Sequence, residues 1–208
     1  MPEKRRAAIV LNAPELDVKI LEKDVICADG GVKHAAGAFI PKIVVGDFDS
    51  SDEKECAYDT VVCPVIKDYT DGERAVRYAK DNGYDEVVIY GAEGGRSDHV
   101  YANLSLLAYA EEIGISAVIR NKTCYVIYVN EKKGRVELNV KKGTTISVAA
   151  FGSGATITDS FGFYYPYNAL TLTRARAGLG ISNVATENKV GFRVEKGEIL
   201  IFVSDSPS

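Results

Sequence analysis

The chain has 208 residues, 46% of them hydrophobic and 26% charged, a balance that suits one large or two small globular domains. Its formal charge of −4, from 25 basic against 29 acidic side chains, gives no surplus to draw it to nucleic acid or an anionic membrane. No apolar run approaches the roughly 20 residues of a membrane-spanning helix, and the basic N-terminus leads only into a strand-length apolar piece, not a signal peptide.

From residue 7 to about residue 121, short apolar runs alternate with helix-like segments. The runs are "AAIVLN", "DVICADGG", "KIVVGDFDS", "TVVCPV", "EVVIYGAEGG" and "SAVIRN". They are continuous, not alternating, as expected of strands covered on both faces of a parallel sheet. "TDGERAVRYAKDNG" opens with Thr70 and Glu73 at capping-box spacing and stops at Gly83. "SDHVYANLSLLAYAEEIG" places Val100, Leu104, Leu107 and Ala108 on one helical face and ends at Gly114. Alternating strands and helices predict an α/β domain with a mostly parallel, doubly wound sheet over residues 1–130. Beyond residue 130 the segments become short, rich in Thr and Val, and separated by Gly or Pro turns, which predicts an all-β sandwich over residues 131–208. The predicted linker is Asn130-Glu131-Lys132-Lys133-Gly134. The four cysteines show no C-x-x-C spacing and read as reduced thiols in a cytoplasmic protein.

The strands of the first half end in polar residues or glycine, and in open α/β sheets the ligand cleft lies outside those ends. Asp29, Asp47, Asp49, Asp68, Asp71 and Asp98 therefore converge on one cleft, where like-charge repulsion calls for a cation. Hard oxygen ligands in this number point to Mg²⁺ with phosphate oxygens and water. Each motif has a plainer reading alone: "DFD" as a turn, "ADGG" as a strand-to-turn transition, Thr70 as a helix cap, and His99 as a hydrogen-bonded helix-start residue. Ser50 reads as a cap for the segment after "GDFDS". "GGRSDH" carries more, because a glycine-rich turn opening a helix presents backbone N–H groups to phosphate.

Taken together, the ordered motifs "ADGG", "GDFDS", "KDYTDGERA" and "GGRSDH-x3-N", with "GFYYPYN" and "GISN" downstream, resemble the thiamine pyrophosphokinase family over residues 7–203. The resemblance implies transfer of a pyrophosphoryl group from ATP to the hydroxyl of thiamine, with AMP released. It implies a homodimer whose thiamine site lies where the two chains meet. It also implies that Asp47, Asp49 and Asp71 hold Mg²⁺. Asp29 then lies near the thiamine and diphosphate end of the cleft, and Arg96 faces phosphate. Asp98 or Asp71 orients the hydroxyl or takes its proton. Lys67 and Asp68 fall at nucleotide contacts, and Thr70, Gly94, Gly95 and His99 flank the phosphates. Ser182 and Asn183 line the thiamine pocket, with Tyr165 stacking on the cationic ring. The chain has no tryptophan, so a stacking ring must be Tyr or Phe. A nucleotide-sugar transferase also uses a D-x-D, but that reading leaves "KDYTD" and the β half unexplained. Transfer to another alcohol, such as a pterin, is the nearer alternative.

Overall fold

The computed structural model describes residues 4–46, 58–62 and 68–207. It divides into two compact units, Met1–Lys122 and Thr123–Ser208.

In the first unit the apolar runs form β1 (Arg6–Val10), β2 (Asp24–Ala28), β3 (Ile43–Gly46), β4 (Thr60–Val62), β5 (Glu86–Tyr90) and β6 (Ser116–Arg120). Their order is β6-β5-β1-β2-β3-β4 and every pairing is parallel. The chain builds outward from β1 to β4, then returns to the other side of β1 for β5 and β6. The strand order thus reverses at β1, which is where open α/β sheets place a ligand crevice.

Two helices follow the predicted signals. The first, α1 (Asp71–Asp81), starts in a full capping box: the Glu73 N–H donates to Thr70 Oγ1 at 3.2 Å, and the Thr70 N–H donates to Glu73 Oε2 at 2.7 Å. The second, α2 (Ser97–Glu112), buries Leu106, Leu107 and Ala110, while Val100, Leu104 and Ala108 are only half-buried. The predicted face is therefore rotated, because α2 packs against both α1 and β6 and needs a wider apolar arc.

The doubly wound expectation is met on one face only among the described residues. Ala7, Ile9, Ile26, Val45, Val87, Ile89 and Ile119 are fully buried and, by the two-residue period of a strand, face the helices. The opposite face carries Ala8, Val10, Val25, Cys27, Val44, Val88 and Tyr90. It is covered by Leu16, Val18 and Ile20 of the non-helical β1–β2 connection, with Val32 and Phe39. That connection alternates apolar and polar residues, so it buries one edge without forming a helix. Among the described residues no helix is long and apolar enough to cross a membrane.

The second unit is antiparallel: β7 (Cys124–Asn130), β8 (Arg135–Asn139), β9 (Thr144–Phe161), β10 (Leu170–Leu172), β11 (Asn183–Val184) and β12 (Lys189–Pro207). The two long strands β9 and β12 pair through several register shifts, which bend them around the core. That core includes Ile146, Val148, Ile157, Tyr167, Phe192 and Val203. The predicted linker at 130–134 is instead a tight turn inside this unit. Asn130 Oδ1 accepts the N–H groups of Lys132 and Lys133, and Glu131 and Gly197 exchange backbone and carboxylate hydrogen bonds. Turn-forming residues serve a turn and a linker equally well; the break lies eight residues earlier, after Lys122.

Candidate active site

A cleft of about 590 Å³ opens at the carboxyl ends of the parallel strands. Four strand ends build it: Leu11–Pro14 after β1, Ala28 and Asp29 after β2, Thr70–Gly72 after β4, and Gly91–Arg96 after β5. His99, Ala102 and Asn103 on α2 complete the wall.

Asp29 sits at the start of a 3-10 turn (Asp29–Ala35) with a φ of 41°, left-handed backbone that is uncommon outside glycine. Such strain concentrates at functional sites. The end of β3 meets it closely, since a Cβ on Gly46 would lie 3.1 Å from the Asp29 Cα. Gly46 directly precedes Asp47 in the chain. Asp47, Asp49, Ser50 and Lys67 themselves lie outside the described residues.

Asp71 lies in the first turn of α1 and lines the cleft, with an Arg74 Nη1 at 3.3 Å from its Oδ1. Thr70 lines the cleft while its hydroxyl accepts the Glu73 N–H, as its capping role requires. Asp68 is exposed in the turn before α1 and is not part of the cleft wall.

The glycine turn after β5 takes left-handed backbone at Gly91, Gly94 and Gly95, with φ of 73°, 87° and 70°. A side chain there would be strained, so this path across the top of the sheet needs glycine. Asn103 of α2 ties the turn down, its Nδ2 donating to the Ala92 carbonyl at 3.0 Å. The turn leads to Arg96, the N-cap residue of α2, which makes no side-chain capping bond. Its guanidinium instead grips Asp98 in a two-point fork, 3.1 Å from Nε to Oδ1 and 2.6 Å from Nη2 to Oδ2. The Arg96 guanidinium holds the Asp98 carboxyl below its ordinary value. Asp98 also accepts the His99 N–H, is largely exposed, and stands beside the cleft rather than in its wall.

The β1 side of the cleft was less visible in the sequence. His34 Nε2 lies 2.9 Å from the Ala13 carbonyl and so carries the hydrogen. Burial pushes the His34 imidazole below its ordinary value, and the Lys33 charge adds to that, against the Ala13 bond. Lys33 Nζ donates to Asn12 Oδ1 at 2.6 Å. Asn12 was readable as a polar strand end, but Lys33, Ala13 and Pro14 carried no motif.

In the β unit the Phe163–Asn168 stretch is held from several sides. Asn183 Oδ1 accepts the Tyr165 N–H at 3.0 Å, and its Nδ2 donates to the Tyr165 carbonyl at 2.7 Å. The residue is 2% exposed, so its amide acts on this loop's backbone and not at an open pocket. Ser182 beside it is exposed with a φ of 60°, and its N–H donates to Ser147 Oγ. Phe163 and Tyr167 face the core, whereas Tyr164 and Tyr165 are each 65% exposed and meet edge to face at 4.8 Å. The structure presents both rings equally.

Could the first unit hold a metal? Among the described residues no three His, Cys, Asp or Glu side chains gather into a metal-binding group. What they do offer is two hard carboxylates, Asp29 and Asp71, on the wall of one cleft, a donor type suited to Mg²⁺.

The family model "Thiamin pyrophosphokinase, catalytic domain" matches residues 19–119, which hold most of this cleft. The thiamine pyrophosphokinase of Bacillus subtilis is 29% identical over 180 residues, covering 84% of this chain and 83% of that protein. Thiamin pyrophosphokinase 1 of Caenorhabditis elegans is 24% identical over 180 residues, covering 79% and 72% respectively. The crystal structure of the Bacillus subtilis enzyme superposes with a TM-score of 0.82 at 26% identity, over 96% of this chain and 99% of that one. The Geobacillus thermodenitrificans structure, at 22% identity, a TM-score of 0.80 and coverage of 98% and 99%, shows the same fold. With the catalytic-domain match lying over the cleft and whole-chain similarity on either side of it, the chain is similar to thiamine pyrophosphokinases over nearly its whole length.

Proposed function

We infer that this chain transfers a pyrophosphoryl group from ATP to the hydroxyl of thiamine, giving thiamine diphosphate and AMP. The observation that carries the reading is the cleft itself: carboxylates from β2 and α1 on one side, and a glycine turn opening α2 on the other. The first set suits a divalent cation, and the second suits the anion that accompanies it.

The chemistry asks the protein mainly for positioning and charge neutralisation. Asp71, with Asp47 and Asp49 on the chain that follows Gly46, would hold Mg²⁺, which when bound neutralises phosphate charge as it develops. The Gly94–Gly95 turn and the first amides of α2 orient phosphate oxygens, Ser97 and Asp98 N–H having no helical acceptor by position. Arg96, kept in place by Asp98, faces the same phosphates. Asp71 or Asp98 orients the thiamine hydroxyl and receives its proton. Lys67, Asp68, Thr70 and His99 belong on the nucleotide side, and Asp29 at the thiamine and diphosphate end.

In the β unit, which we place as a sandwich, Tyr165 or Tyr164 provides a face for the cationic ring, and Ser182 a polar contact. Asn183 contributes by fixing the backbone of Tyr165. The protein acts as a homodimer in the cytoplasm, where Cys27, a buried thiol, stays reduced. The test is AMP release from Mg-ATP with and without thiamine. Thiamine-dependent AMP is the expected result; ADP release, or AMP release indifferent to thiamine, overturns the reading.

A further inference from the structure

The cleft has a charge problem that its assigned residues do not solve. Asp29 and Asp71 line it, Asp71 with Arg74 against it, and the nucleotide polyphosphate carries more negative charge than one divalent cation cancels. Among the described lining residues the cations are Lys33 and Arg96. The Arg96 charge is already matched: two of its N–H groups are forked onto the Asp98 carboxylate. Lys33 differs. Its partner among the described residues is the Asn12 amide oxygen, which is polar but uncharged.

An ammonium has three donors, and Asn12 takes one of them. Lys33 is exposed and lines the cleft, so its remaining donors are accessible to an anion bound there. Asn12 is itself well placed to hold the lysine. A Cβ on Gly30 would lie 2.5 Å from the Asn12 Nδ2, so the amide lies over the 3-10 turn that carries Lys33. Donation from Lys33 fixes the amide's sense, with oxygen toward the lysine and the NH₂ over Gly30. The arrangement is a long flexible cation steered by a neutral acceptor, which orients the charge without cancelling it.

We propose that Lys33 is a further phosphate-binding cation of the cleft, taking an oxygen of the nucleotide polyphosphate, and that Asn12 is the residue that positions it. The inference rests on the nucleotide reading of the cleft given above. It separates two cations that look alike in the sequence: Arg96, neutralised within its own turn, and Lys33, whose charge is available to an anion.

The experiment is direct binding by calorimetry, with the full-length chain, of ATP, inorganic tripolyphosphate and adenosine. Lys33→Gln is expected to weaken ATP and tripolyphosphate about tenfold, the loss of one charge-assisted hydrogen bond, and to leave adenosine unchanged. Lys33→Arg should restore most of the loss, and the salt dependence of ATP binding should flatten in Lys33→Gln. Equal ATP affinity in Lys33→Gln and the wild type overturns the lysine's role while leaving the nucleotide site intact. An equal loss for adenosine overturns it too, by showing damage to the cleft's shape. Failure of the wild type to bind either ATP or tripolyphosphate removes the nucleotide reading and this inference with it.

Discussion

The two helices that open on the cleft start in opposite ways. The first turn of α1 is closed on itself: Thr70 and Glu73 satisfy each other's backbone groups, and Asp71 puts a carboxylate at the positive end of the helix. At α2 the N-cap is Arg96, whose backbone has the extended geometry of a cap, φ −71° and ψ 132°, but whose side chain caps nothing. Both starts carry the same positive dipole. One sets a carboxylate against it on the cleft wall; the other leaves its first amides without a cap from the N-cap side chain. The helix terminus alone does not choose the ligand. The residues that cap it do.

The largest effect should come from removing the acid that α1 presents. Asp71→Asn is expected to lower thiamine-dependent AMP release at least about a hundredfold at saturating Mg²⁺. The melting midpoint should move by only a few degrees, because a carboxylate at a helix start contributes about 0.3–1 kcal/mol. Near-full activity would show that α1 opens on the cleft for structural reasons alone.

The next test makes α2 resemble α1. Arg96→Ser places a good cap in a backbone already shaped for one, and should stabilise the protein by about 0.5–1 kcal/mol in chemical denaturation. The same change removes a cleft-lining cation and closes the first-turn amides, so under the proposed function ATP should bind about tenfold more weakly. Higher stability with lower affinity is the signature of a terminus left open for a ligand. If affinity were unchanged, the missing cap would have no functional meaning.

How much of this was readable beforehand depends on the distance over which each feature is decided. The capping box spans Thr70 to Glu73, so four consecutive residues contain it. The strand ends were readable for the same reason: apolar runs stop where Asn12, Asp29 and Gly91 begin. Lys33 was not readable, because its meaning depends on Asn12, which is 21 residues away and meets it only through the β1–β2 pairing. Asn183 was readable only in part. A polar residue in a loop motif suggests a ligand contact, but packing buries it against the Tyr165 backbone, and burial is a tertiary property. The helical face of α2 shifted because its second neighbour, β6, lies beyond the helix in sequence.

The smallest effect is the one that checks whether the two helix starts really differ. Glu73 is not part of the cleft wall; its carboxylate accepts the Thr70 N–H at 2.7 Å and closes the α1 cap. Glu73→Ala leaves that N–H without its partner and weakens the first turn by about 0.5–1 kcal/mol, read as a lower denaturation midpoint. Nucleotide affinity should stay within about twofold, since on this account the α1 amides face no phosphate. The comparison with Arg96→Ser is what gives the number its value. Opening the α1 cap should cost stability and spare binding, whereas closing the α2 cap should do the reverse. If Glu73→Ala weakened ATP as much as Arg96→Ser does, both termini would serve the anion. Asp71 would then have to act through its helix and not through a bound cation.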